Sequence, residues 1–290
     1  MAENHIELFK KYITYLDEVY KRESITSMLD GGNRLAREGA NTNEIIIPKI
    51  DMDGLGDYSR NSGYIDGAAT LTYETVKFNY DRGRKFNIDA MDNEETAGLA
   101  FGKLSSEFMR TKAVPEIDAW RFATYAGTTG ISKATGTLNG GEAVLEALRA
   151  SQNAMDEDEV PESDRILYIT ATHLNAVAAL DTYKSQKVLE SFSTIKKVPQ
   201  TRFYTAIDLL DGKTAGEEQG HYRKNANGKN INFLVIHRPA LLQYKKHVVS
   251  KIVSPGENQT NDGWMFFYRS YGLADVYENK VAGLFLHHEA

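Results

Sequence analysis

In the segment IELFKKYITYLDEVYKRESI, Ile6, Phe9, Ile13, Leu16 and Tyr20 recur at spacings of three and four, which predicts an amphipathic N-terminal helix with one apolar face to cover. Gly31 and Gly32 interrupt that pattern, and NEIIIPKI then reads as a short strand whose Pro48 argues for an edge position. DMDGLGDYSRNSGYIDGA has too much Gly, Asp, Asn and Ser for a regular element and predicts an exposed loop tip. From Ala69 to Ile88 the chain alternates through Leu71, Tyr73, Val76, Phe78, Tyr80, Phe86 and Ile88, the period of extended strand, with Gly67 and Gly83 as bends or bulges. With NEIIIPKI this makes a two-stranded excursion, an arrangement that is marginal by itself in water and predicts support from another chain.

The period changes at Asp92. Asp92 or Asn93 can cap a helix, Glu94 and Glu95 suit the positive end of its dipole, and Ala97, Phe101, Leu104 and Phe108 make an apolar stripe up to about Lys112. A second helix is expected to start at Pro115, to carry Ile117, Trp120 and Phe122, and to end at Gly127. After the polar stretch TTGISKATGTLNGG come the helix GEAVLEALRASQNAM, the acidic run DEDEVPESD, the strand RILYIT and the helix ATHLNAVAAL, followed by a loop-rich part to NANGKNI. The remainder is mostly strand: NFLVIH, ALLQYKKHVVSKIVS, WMFFYRSYGLADVYENK and VAGLFLHH. The fold class is therefore α+β.

Composition narrows the chemistry. The chain has 290 residues, 41% of them hydrophobic, so it can bury a sizeable core, and no apolar run approaches the roughly 20 residues of a membrane span. It has 0 cysteines, which excludes disulfides and thiolate sites, and a net charge of -6, which opposes non-specific binding to phosphate. Asp89, Asp92, Glu94 and Glu95 are oxygen donors of the kind hard cations take, but helix capping accounts for three of them and the spacing is not that of a calcium loop. Asp51, Asp53 and Asp57 read as a solvated turn. There is no G-x-S-x-G, H-E-x-x-H or phosphate-binding loop, and His173, His237, His287 and His288 are scattered, so no catalytic, metal or cofactor-binding residue is assigned. The basic set Lys77, Arg82, Arg84 and Lys85 remains. Alternation puts Arg82 and Arg84 on one face of a strand, and on an acidic protein their natural partner is an acidic patch of a neighbouring copy.

The order of these pieces, with DRGRKFNIDAMDNEET between excursion and helix and WMFFYRSYGLADVYENKVAGLFLH at the end, resembles the major capsid proteins of tailed bacteriophages with the Hong Kong 97-type (HK97) fold. The resemblance implies an N-terminal arm at 1–43, an extended hairpin (E-loop) at 44–90, a peripheral P-domain at 91–129 and 237–290 containing a spine helix at 92–112, and an axial A-domain at 130–236. It further implies a non-enzymatic shell protein of the virion, assembled in the host bacterial cytoplasm from pentamers and hexamers into an icosahedral particle around double-stranded DNA. Expected partners are other copies of the chain, a separate scaffolding protein, a portal and a decoration protein, with no membrane and no sequence-specific DNA contact. The alternative is an encapsulin-like compartment with the same fold. On this reading Lys77, Arg82, Arg84 and Lys85 are inter-subunit contacts, while Asp92, Glu94 and Glu95 with Phe101, Leu104 and Phe108 cap and pack the spine helix.

Overall fold

The computed structural model describes residues 24–31, 37–38, 44–61, 63–91 and 99–290, of which 37–38 and 99–103 are described by their backbone alone. The predicted helix over residues 6–20 and the capping residues Asp92, Glu94 and Glu95 lie outside the described residues, as does the side chain of Phe101.

Two strands with no polar face make the centre of a five-stranded sheet. β6 (Arg165–Thr170) and β10 (Ile231–His237) are buried at every position, as their near-continuous apolar runs require of a sheet covered on both sides. The spatial order is β5 (Ser132–Thr135), β13 (Leu284–His288), β10, β6 and β7 (Thr194–Val198), with β13 parallel to β5 and β6 parallel to β7. Leu167, Ile169, Phe233, Val235 and Phe285 point to one side. There they meet Val144, Leu148 and Met155 of α3 (Gly140–Glu157), Val177 of α4 (Ala171–Ala178) and Val188 of α5 (Tyr183–Glu190). The alternate residues Ile166, Tyr168, Leu234, Ile236, Leu284 and Leu286 point to the other.

That other side is covered by a long helix. α1 (Leu99–Phe108) runs through a π turn, Met109–Ala113, directly into α2 (Val114–Gly127), so the expected break before Pro115 is absent. Pro115 lies in the first turn of α2, immediately after a wider π turn, the kind of local adjustment that lets a helix pass a residue without an N–H. α2 packs Phe122 against Tyr168 at 5.3 Å between ring centres, and on its opposite flank Trp120 against Tyr80 at 4.6 Å.

Tyr80 belongs to a second sheet. β4 (Tyr80–Asp89), β12 (Gly263–Val276) and β11 (Leu241–Val253) form an antiparallel ladder in the order β11-β12-β4. Gly83, expected at a bulge, instead faces Arg269 in an unbroken register. A Cβ there would stand 2.8 Å from the carbonyl oxygen of Tyr268, so this glycine permits close strand approach, not a bend. The bulge lies elsewhere, between Lys245 and His247 of β11, and the extra residue Lys246 extends its ammonium over Phe78 at 5.1 Å.

The third sheet is the excursion. β2 (Glu44–Met52) pairs antiparallel with β3 (Ala69–Lys77) across an irregular tip, 53–68. Two corrections follow. β4 does not extend this hairpin but leaves it for β12, and β2 is not an edge strand, since β1 (Arg37–Glu38) pairs on its other side. Among the described residues β1 pairs with Ile45 and Ile46 and not with Pro48. The last predicted strand, β13, joins the five-stranded sheet, antiparallel to β10 and parallel to β5.

Candidate functional site

Pairing across β2 and β3 sorts the hairpin into two faces. Ile45, Ile47 and Val76 point inward and pack on Leu242, Leu273 and Tyr277, and farther out that face carries Lys49, Thr72, Asp51 and Thr70. Lys49 Nζ meets Glu278 Oε2 at 2.9 Å there. The opposite face carries Ile46, Pro48, Ile50 and Met52 beside Thr75, Tyr73, Leu71 and Ala69. Its outer half is uncovered: Ile50 is 62% exposed, Met52 68%, Leu71 52% and Tyr73 64%. Leu55, Tyr58, Tyr64 and Ile65 at the tip are exposed as well. A contiguous apolar strip on a projecting hairpin is the mark of an interaction surface.

Where β4 passes the long helix, the two enclose a groove of about 700 Å³ closed on its third side by the loop 210–221. Phe86, Leu104, Phe108 and Tyr268 line its apolar part, and Phe108 stands edge-on to Phe86 at 4.9 Å and to Tyr268 at 5.8 Å. Leu104 and Phe108 are both partly buried. Glu116, on α2, is the charged centre of the groove. Its Oε1 accepts from Arg82 Nε at 2.8 Å and from the Tyr80 hydroxyl at 3.1 Å, and its Oε2 lies 3.5 Å from His221 Nδ1. Burial pushes the Glu116 carboxyl up, but His221 and Arg82 together outweigh that and hold it below its ordinary value.

The basic set divides on this geometry. Arg82 and Arg84 do share a face of β4, and both point into their own subunit. Arg82 also donates to the His221 carbonyl at 3.3 Å, while Arg84 donates to the Glu218 carbonyl at 3.0 Å. Arg84 fills the neck of the loop, where a Cβ on Gly212 would meet its guanidinium at 2.8 Å; Gly212, Gly220 and His221 all have positive φ, so the neck is a tight left-handed passage. Lys77 and Lys85 are exposed and make no ion pair among the described residues.

The residues that sequence reading missed are buried polar ones. Asp118 is fully buried and accepts from Ser24 Oγ at 2.8 Å, Ile25 N at 3.0 Å, Thr26 N at 3.2 Å and Thr26 Oγ1 at 2.5 Å, with Arg202 at 3.3 Å. Arg121 holds Asp30 at 2.6 Å, and Gln243 holds Thr26 O at 2.9 Å and Asp30 at 2.7 Å. The segment Ser24–Gly31 is thereby fastened to α2 and β11. Only the odd charge density of PEIDAWR in a helix otherwise reading as core hinted at this. Among the described residues no group of three or more His, Asp or Glu side chains is placed to hold a metal ion. Asp89 accepts from Met91 N at 2.9 Å, and His173 and His287 both bond to Asn232, at 3.2 Å and 3.0 Å.

No protein-family model matches the chain, and no curated protein matches its sequence. Solved structures do. A virus-like particle from Pyrococcus furiosus is 11% identical with a TM-score of 0.62, covering 97% of this chain and 99% of that one. Gordonia phage Cozz gives 11% identity and 0.61 over 92% and 87% of the two chains. The capsid of Staphylococcus phage Andhra gives 14% and 0.55 over 89% and 84%. The chain therefore has the fold of phage capsid proteins over nearly its whole length.

Proposed function

We propose that the chain is the major capsid protein of a tailed bacteriophage, assembling as pentamers and hexamers into an icosahedral shell around packaged double-stranded DNA. In this reading residues 1–43 are the arm, the hairpin with its return strand is the E-loop at 44–90, the long helix is the spine of the P-domain, and 130–236 form the axial A-domain. Its role is structural, without a catalytic step. A separate scaffolding protein, a portal and a decoration protein complete the assembly, which takes place in the host cytoplasm. The observation that carries the proposal is the uncovered apolar strip of Ile50, Met52, Leu71 and Tyr73 on a hairpin too slight to exist for its own subunit's core. Lys77 and Lys85, and not Arg82, are the cations of the set offered to a neighbouring copy. The test is to replace Leu71 and Tyr73 together with Lys: the subunit should fold with native circular dichroism but form no particles. Normal particles from that variant would defeat the proposal.

A second reading has an observation of its own, the match to a virus-like particle over 97% of this chain. It is a compartment shell that encloses protein cargo in place of DNA. Nuclease-treated particles recovered from the native source separate the two, since protected DNA of uniform length supports the phage head and co-purified enclosed enzyme supports the compartment.

A further inference from the structure

The sequence contains two Asn-Gly steps, Asn139–Gly140 and Asn227–Gly228, and the fold treats them in opposite ways. At such a step the side-chain carboxamide is open to attack by the next backbone nitrogen, because glycine has no Cβ to obstruct the approach. Asn139 stands immediately before α3. It is exposed, its backbone is extended at φ -95° and ψ 105°, and its side chain makes no capping hydrogen bond. Gly140 is the first residue of α3, so its N–H is among those that a helix leaves without an internal partner. Its φ is +85°, and a Cβ built there would meet nothing within 4 Å. Asn227 is exposed as well, but its turn is fastened: Gly228 N donates to Asn225 O at 2.9 Å, and Asn227 N donates to Asn225 Oδ1 at 2.9 Å. Gly228 is buried, and a Cβ on it would stand 2.4 Å from Ala206 O, so that peptide has no room to swing. We propose that Asn139 is a site of spontaneous conversion to aspartate and isoaspartate in the folded protein, and that the turn at 225–228 protects Asn227 from the same reaction.

The reaction needs only water and base. Gly140 N gives up its proton and attacks Asn139 Cγ; a C–N bond closes a five-membered imide, the Cγ–Nδ2 bond breaks, and ammonia leaves carrying that proton. Water then opens the imide at one of its two carbonyls. Opening at Cγ restores the backbone and leaves aspartate, whereas opening at the backbone carbonyl leaves isoaspartate, with the chain now running through Cβ and Cγ. Nothing is oxidised or reduced. Either product places a carboxylate at the positive end of the α3 dipole, which favours it. Isoaspartate also adds one carbon to the backbone just before Gly141. That glycine lies so close to α4 that a Cβ on it would stand 2.2 Å from Ala176 O, so the added carbon arrives beside a helix contact with no slack.

Peptide mass spectrometry of the full-length chain tests this, with samples drawn over time from mildly alkaline buffer and, in parallel, from the same buffer with denaturing urea. In the folded protein Asn139 should convert about tenfold or more faster than Asn227, since attack at Asn227 must wait for its turn to open. In urea the two rates should converge, because unfolding frees Gly228. Backbone fragmentation of the peptide that carries residue 139 should show both aspartate and isoaspartate, and Asn139→Gln should remove the mass gain there. Equal rates in the folded chain, or a faster Asn227, would overturn the proposal. So would a folded Asn139 that stays intact while the unfolded chain converts. A ratio as large in urea as in buffer would also overturn it, because neighbouring residues and not the fold would then separate the two sites.

Discussion

Arg82 Nε lies 2.8 Å from Glu116 Oε1, and the pair joins the first strand after the hairpin to the long helix. The Glu116 side chain is 10% exposed and that of Arg82 24%, so the contact is neither a surface bridge nor a fully dry one. Arg82→Glu should cost the subunit about 2 to 4 kcal/mol, because it sets two carboxylates together where burial limits screening, with a discount for the exposed part of the arginine. Chemical denaturation of the unassembled chain measures this. Lys85→Glu, on the open face of the same strand, should change stability by less than about 0.5 kcal/mol and show its effect in assembly alone.

Asp118 should be among the most sensitive polar positions. Asp118→Ala strips Ser24, Ile25, Thr26 and Arg202 of a buried acceptor at once and should cost about 3 to 5 kcal/mol. Deleting residues 1–31 removes the same contacts from the other side, so the two changes together should cost much less than their sum. Additive losses would mean that Asp118 acts through other partners.

Acid should weaken the subunit in two separate windows. Burial, with His288 and His173 nearby, lowers His287 from 6.5 to about 4. The unfolded chain therefore binds the proton more readily, and stability is full above about 6.5 and falls as the pH drops toward about 4. Glu116 is depressed below its ordinary 4.5, so its contribution is present above that value and is lost only as the pH falls through the lower folded one. His287→Gln should flatten the first window and Glu116→Gln the second, as read from urea midpoints across pH.

Phe108 tests the aromatic seam between helix and sheet, where it meets Phe86, Phe266 and Tyr268. Phe108→Ala should cost about 3 kcal/mol through lost apolar burial and the cavity left behind, and Phe108→Leu clearly less. Equal costs would place the ring in solvent.

Much of the fold is written in period and punctuation. The all-apolar runs of β6 and β10, the alternation from Leu71 to Ile88 and the glycine-rich tip are local signals, and each became the element it predicts. Strand partnership is not local. Nothing in the alternation separates β3 from β4, which go to different sheets; where the chain changes sheets the Asn79 carboxamide meets Ala274, a residue 195 positions away. The helix continued past Pro115 because a π turn absorbs what a regular turn cannot. The short α5 was hidden in a loop-rich stretch since its stability comes from a capping box between Thr182 and Ser185, not from a long apolar stripe. Arg82 read as a surface cation because its partner Glu116 and the loop bearing His221 lie 34 and 139 residues away in sequence.

On the proposed reading, other copies of the chain cover the exposed hairpin. Negative-stain microscopy of the concentrated full-length protein, alone and with a candidate scaffolding protein, is the direct test. Rings of five and six subunits and closed shells of uniform diameter are expected, and their loss in the Leu71→Lys, Tyr73→Lys variant. A folded chain that stays monomeric under both conditions would contradict it.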